Sequence, residues 1–170
     1  MGKRSNFERN ERDYYRTPEE ALIPLLPHID YITFNFIEPC AGDGTLTSLL
    51  LKYTDGKCIY QSDIEPQESN ILRKNVLDIE DKPDYYITNP PWDRQLLHPM
   101  IEHFTKLRPT WLLFDADWAH TKQSAPYIKN CAKIVSVGRI KWFGNMTGKD
   151  NCAWYLFDWE VNNTIFYGRT

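Results

Sequence analysis

The sequence predicts an α/β fold: a mostly parallel sheet, helices on both faces, and an antiparallel hairpin at the C-terminal end. Three observations carry this. Short apolar strand patterns alternate with amphipathic helical patterns. The run Thr110–Asp115 is apolar without alternation, as in a strand covered on both faces. Two apolar strand patterns near the end, 132–143 and 152–158, flank a Gly- and Asn-rich loop, which reads as a hairpin.

The elements follow in order. Residues 1–13 mix charges without apolar periodicity and are expected to form a mobile arm, with one catalytic-type domain over 14–170. Thr17-Pro18-Glu19-Glu20 has the pattern of a helix start, with Thr17 as cap and Pro18 in the first turn. Pro24 and Pro27 keep that helix short. Strands are expected at 31–37, 57–62 ending at Asp63, 84–88 and 110–115, and a weak one at 75–78. Helices are expected at 45–53, 70–75, 96–106 and 121–130. In such a sheet ligands bind at the carboxyl ends of the strands, so the loops after strands become the candidates for function.

Composition bounds the options. With 170 residues one domain is expected, and 42% apolar with 25% charged residues is globular rather than disordered. The net charge of −3 excludes a uniformly basic nucleic-acid coat. Charge is nevertheless uneven. Between residues 36 and 93 acids outnumber bases eleven to five, whereas 120–151 carries Lys122, Lys129, Lys133, Arg139, Lys141 and Lys149 against Asp150 alone. One part suits a cation and another an anion, although ordinary solvated faces would show the same. Cys40, Cys58, Cys131 and Cys152 form neither a CxxC pair nor a zinc pattern. His28, His98, His103 and His120 show no metal spacing, so no metal is expected. With no secretory leader pattern and no long apolar run, a reducing, cytoplasmic setting without membrane contact is expected.

Three loops carry chemistry. Phe36-Ile37-Glu38-Pro39-Cys40-Ala41-Gly42-Asp43-Gly44 joins an apolar strand to a helix through two glycines. The glycines permit positive φ and close approach to a ligand, and the flanking Glu38 and Asp43 favour an ammonium or sulfonium over a phosphate. A plain strand–helix turn is the competing reading. Asp63 ends the next strand, 19 residues past Gly44, a spacing at which an acid commonly holds ribose hydroxyls; a helix cap or solvated acid competes. Asn89-Pro90-Pro91-Trp92 follows a strand. Its prolines stiffen the turn and aim two acceptors, the Asn89 side chain and the Pro90 carbonyl, at one point. Paired acceptors suit an NH2 group, and Trp92 offers a stacking surface for a flat ring.

Taken in order, Glu38-Pro39-Cys40-Ala41-Gly42-Asp43-Gly44, Asp63, Asp78 and Asn89-Pro90-Pro91-Trp92 resemble class I S-adenosylmethionine-dependent methyltransferases with the (D/N)PP(Y/F/W) motif. Among these the chain is most similar to N6-adenine DNA methyltransferases, including small phage-encoded ones. Tyr15-Arg16-Thr17-Pro18 resembles an additional N-terminal cofactor segment of that family. Cys40-Ala41 and Trp92 depart from the commoner residues; Trp92 keeps the stacking ring.

The resemblance implies a Rossmann-like mixed sheet and S-adenosylmethionine as cofactor, with S-adenosylhomocysteine as product. Glu38, Ala41, Gly42 and Gly44 would surround its methionine part, Thr17 and Pro18 would touch the methionine tail, and Tyr15 and Pro39 would also bind the cofactor. Asp63 would hold the ribose, Ile64 would pack on the adenine, and Asp78, with Leu77 beside it, would receive the adenine amino group. Asn89, Pro90, Pro91 and Trp92 would be catalytic, with Asn89 also touching the cofactor. The implied reaction is methyl transfer to adenine N6 in DNA. The same chemistry on an RNA adenine or a glutamine amide, or a cofactor- or nucleic-acid-binding relative without turnover, remain alternatives.

Only 81 residues follow Asn89, so no large target-recognition domain fits there. Contacts to nucleic acid are expected from loops near Arg94, Lys122, Lys141 and Lys149. The loop 144–151 reads equally as a base-edge reader or as an ordinary hairpin loop.

Overall fold

A computed structural model describes residues 15–142, 148 and 150–169. The expected arm at 1–13, Lys149 and most of the 144–151 loop lie outside the described residues.

The strands are β1 (Asn35–Glu38), β2 (Lys57–Asp63), β3 (Leu72–Arg73), β4 (Tyr85–Thr88), β5 (Thr110–Asp115), β6 (Cys131–Arg139), β7 (Asn151–Phe157) and β8 (Ile165–Tyr167). They form one eight-stranded sheet in the order β3-β2-β1-β4-β5-β7-β6-β8. β1 to β5 pair in parallel, and β8 pairs in parallel with β6. Among the described residues β7 alone runs against its neighbours, wedged between β5 and β6. The hairpin expected from the sequence is therefore present, and its second strand sits inside the sheet rather than at its side.

Alternation across β5 divides the core into two layers. Trp111 and Leu113 face a cluster with Phe36, Leu46, Leu50, Trp154 and Ala21. Leu112 and Phe114 face another with Leu97, Ile101, Trp118 and Tyr155. This explains the uninterrupted apolar run: both faces of β5 are buried. The first face is covered by α1 (Glu19–Leu22), a 3₁₀ turn at Ile23–His28 and α2 (Thr45–Tyr53). The second is covered by α3 (Arg94–Leu107), whose buried Leu97, Met100, Ile101, Phe104 and Thr105 recur at helical spacing.

Several local expectations are corrected. Pro18, not Thr17, occupies the cap of α1, and no side chain caps it; Thr17 is buried instead. The strand expected at 31–37 starts at Asn35, because its neighbours begin only at Lys57 and Tyr85 and offer no ladder before that point. The 70–75 segment is not a helix. Leu72 and Arg73 pair with Ser62 and Asp63 as an edge strand. The 75–78 segment is not a strand but a 3₁₀ turn at Val76–Asp78, with Asn75 Oδ1 accepting from the Leu77 amide at 3.0 Å. The single helix expected at 121–130 is a series of short turns ending in α4 (Ala125–Ile128), where Pro126 removes an amide donor. β6 stops at Arg139 and bulges at Ser136–Gly138, where Gly138 has φ of 84°. Among the described residues, no helix is long and apolar enough to cross a membrane.

Candidate active site

The strand order reverses between β1 and β4, and there the loops after β1, β2 and β4 diverge around a cavity of about 1010 Å³. Its wall includes Glu38, Pro39, Ala41 and Gly42 after β1, Asp63 and Ile64 after β2, Leu77, and Asn89 and Pro91 after β4. Tyr15, Arg16 and Thr17 close one side. Tyr15 and Asn89, 74 positions apart, thus meet in one space.

The glycine loop is held by bonds to the end of β2. Ala41 N–H donates to the Ser62 carbonyl at 2.9 Å, and Gly42 N–H to Asp63 Oδ2 at 2.8 Å. Gly42 and Gly44 have φ of 56° and 78°, a region costly for any residue with a Cβ. The two glycines serve differently. Gly42 lies on the cavity wall. Gly44 is off that wall and opens α2, and a Cβ there would meet Gln61 Oε1 at 2.8 Å. Its left-handed backbone turns the chain from the loop into α2.

The three acids around the loop differ in their surroundings. Burial raises Glu38 to about 8, against the opposing bonds from the Thr47 hydroxyl and amide, so it is largely protonated at neutral pH. Asp43 has a different balance. Burial pushes it up, but Thr45 and the Arg16 guanidinium hold it below the ordinary carboxylate range. Arg16 Nε and Nη2 both reach Asp43 Oδ2 at 2.6 Å. The acid expected to attract a cation is thus already ion-paired, and Glu38 carries a proton to give up. Asp63 accepts Gly42 N–H on one oxygen and Glu65 N–H on the other, each at 2.8 Å. Each oxygen keeps a further lone pair, so a pair of hydroxyls can still be accepted. Cys40 also lines the cavity, and desolvation, with Asp63 and Glu38 close by, pushes its thiol up, so it stays an unreactive wall residue.

Ile64, Leu77 and Leu96 are about half-exposed although large and apolar, and all three face this cavity. With Pro99 and Met100 of α3 they make an apolar slot beside Asp63. The α3 residues carried no motif in the sequence. The signal that could have revealed them is Leu96, an apolar residue on the polar side of an otherwise amphipathic helix.

At the corner after β4, Asn89 and Pro91 reach the cavity, while Pro90 is buried and off its wall. Trp92 is partly buried and packs against both core layers. Its ring stands edge-on to Trp142, centroids 5.8 Å apart, and Trp142 in turn lies 5.9 Å from Tyr15. Trp142 thus stands in an aromatic row with Trp92 and Tyr15, of which Tyr15 alone lines the cavity. Pro18 and Asp78 are also off the cavity wall, and Asp78 is exposed at the end of its turn. Of the expected nucleic-acid contacts, Arg94 pairs with Gln123, Lys122 and Lys141 are exposed, and Lys149 is not described.

No family profile matches the sequence, and no curated protein is similar enough to match. Solved structures do match. A candidate RNA methyltransferase from Pyrococcus horikoshii superposes with a TM-score of 0.64 at 15% identity, over 92% of this chain and 90% of that one. A candidate class I S-adenosylmethionine-dependent methyltransferase from Listeria monocytogenes gives 0.67 at 12% identity, over 96% and 68%. A dimethyladenosine transferase from Plasmodium falciparum gives 0.53 at 16% identity, over 85% and 62%. The fold is that of class I methyltransferases. At these identities the likeness concerns the backbone arrangement, and function has to be argued from the site.

Proposed function

We propose that this protein is an S-adenosylmethionine-dependent N-methyltransferase whose acceptor is the N6 amino group of an adenine in nucleic acid, with DNA as the leading substrate. The observation that carries this reading is the opening of Asn89, at the end of β4, into the same cavity as Gly42 and Asp63.

The residues fit such a cofactor. Asp63 keeps lone pairs for the ribose hydroxyls, and Ile64, Leu77 and Leu96 form an apolar slot of the kind a flat purine fills. Glu38 and Gly42 border the space left for the methionine part, beside Thr17. When bound, the cofactor would supply an electrophilic methyl group on a sulfonium.

The chain's own task is to ready the acceptor. An aryl amine delocalises its lone pair into the ring. Asn89 Oδ1 would take a hydrogen bond from the NH2, whereas Pro90, expected as the second acceptor, is buried off the cavity wall. That bond localises the lone pair on nitrogen and strengthens as positive charge develops there, which favours the transition state. The stiff Pro90-Pro91 corner keeps the Asn89 acceptor aligned with the methyl group. A paired base cannot reach the cavity, so the target must be flipped or unpaired.

An RNA adenine is the second reading, favoured by the RNA methyltransferase among the structural neighbours. The exposed Lys122 and Lys141 support a polyanion over a protein glutamine. Incubation with tritiated cofactor and separate DNA, RNA and protein pools, followed by digestion, tests all of these. Label in N6-methyladenine from DNA is the expected result. Label in RNA alone replaces the leading substrate, and label in no pool overturns the enzyme reading.

A further inference from the structure

We infer that the main-chain carbonyl of Tyr15 sets the orientation of the Asn89 side chain and so decides which end of that amide meets the acceptor. The inference rests on the N-methyltransferase reading. It makes the segment Tyr15–Thr17 a positioning element for Asn89, in addition to a wall of the cavity.

Asn89 Nδ2 donates to the Tyr15 carbonyl oxygen at 3.1 Å, across 74 residues of sequence. A carbonyl oxygen only accepts, so the nitrogen end of the amide must face it. The amide is planar, with oxygen and nitrogen about 120° apart on one carbon. Fixing the nitrogen on Tyr15 therefore fixes the oxygen on the other side, toward the space where an amino group would be received. Without this bond the terminal torsion of an asparagine is broad and two-fold. A flipped amide would then present its own N–H groups to the incoming NH2, donor against donor.

The segment that supplies this carbonyl is anchored on three sides. Arg16 holds Asp43 through two nitrogens, each at 2.6 Å. Thr17 is buried at 4% exposure. The Tyr15 ring packs 5.9 Å from Trp142. The Arg16–Asp43 pair also ties this segment to the glycine loop, so the corner after β4 and the loop after β1 are set against each other through it. An ionised aspartate in place of Asn89 would direct an oxygen at the Tyr15 oxygen. A protonated one would restore the donor and keep the acceptor.

Two measurements on the full-length protein test this. The first follows solvent exchange of the Asn89 side-chain NH2 by ¹⁵N NMR, assigned by its loss in Asn89→Ala. Slow exchange in the wild type that accelerates about tenfold in Arg16→Ala supports the inference. Exchange as fast as that of an exposed asparagine overturns it. The second is the pH profile of Asn89→Asp. Expected is a kcat about 100-fold below wild type at pH 8 that recovers as pH falls, with the cofactor KM little changed. A wild-type kcat with a flat profile overturns the inference, since Asn89 would then need only an oxygen. If no pool is methylated by the wild type, the enzyme reading fails separately, and the exchange rates still decide the orientation of Asn89.

Discussion

The glycine loop after β1 and the diproline corner after β4 end neighbouring parallel strands and border one cavity, yet they are secured differently. The loop is fastened to the adjacent β2 by bonds between residues at most 21 apart, chiefly Ala41 to Ser62 and Gly42 to Asp63. The corner is stiff by covalent structure, but its functional side chain is held by Tyr15, 74 residues away. A wall built from bonds to the next strand forms with its own strand–loop–helix–strand unit. A wall that depends on a remote segment is complete only when the chain has closed around it. Damage to the first should therefore appear as lost stability or lost cofactor affinity, and damage to the second as lost turnover.

The sharpest way to separate the two walls is Asn89→Ala. Turnover should fall about 10²- to 10³-fold, the scale of losing one aligned polar contact in a transition state, while calorimetry shows cofactor affinity within a few-fold of wild type. Equal loss of both would place Asn89 in the first wall. Asp63→Asn should do the reverse. Losing charge-assisted bonds to ligand hydroxyls weakens cofactor binding by about 10- to 100-fold, measured by the same titration.

Gly44→Ala probes the loop's backbone rather than its ligand contacts. Positive φ should cost about 1–3 kcal/mol, since the end of the Gln61 side chain can move aside, read as a melting temperature lowered by several degrees. Little change would show that the loop relaxes without loss.

Glu38 adds a pH signature. Its carboxyl is raised from 4.5 to about 8, chiefly by burial. Between those values the folded protein holds a proton that the unfolded chain has released. Stability is therefore highest below pH 4.5 on account of this group and declines as pH rises through 8, by at most about 1.4 kcal/mol per pH unit. Glu38→Gln should flatten that decline in denaturant titrations. Cofactor binding should show the complementary trend and strengthen toward pH 8, because an ionised Glu38 faces the cation more favourably.

The same contrast explains what could be read in advance. α2 and β5 were placed residue by residue, because a dense leucine face and an unbroken apolar run follow from local period. The 70–78 region was inverted. Leu72-Arg73 is extended because β2 offers a free edge, and Val76–Asp78 turns because Asn75 supplies an acceptor, neither of which periodicity can see. β8 carried no signal strong enough to mark it, since it is three residues long and its order comes from pairing with β6. In the site, Gly42, Asp63 and Asn89 were legible because turns, strand ends and prolines mark their own positions.

The sequence by itself determined that this chain alternates strands and helices, and that a glycine loop, an acid and a diproline corner follow three of its strands. Those features depend on residues close in the chain, whose conformational preferences act before anything else has folded. Tertiary structure alone decided that Arg16 neutralises Asp43, that α3 lends an apolar slot, and that Tyr15 turns the Asn89 amide. Each needs groups from distant segments to approach within hydrogen-bonding or van der Waals range, and only the closed sheet with its covering helices brings them there.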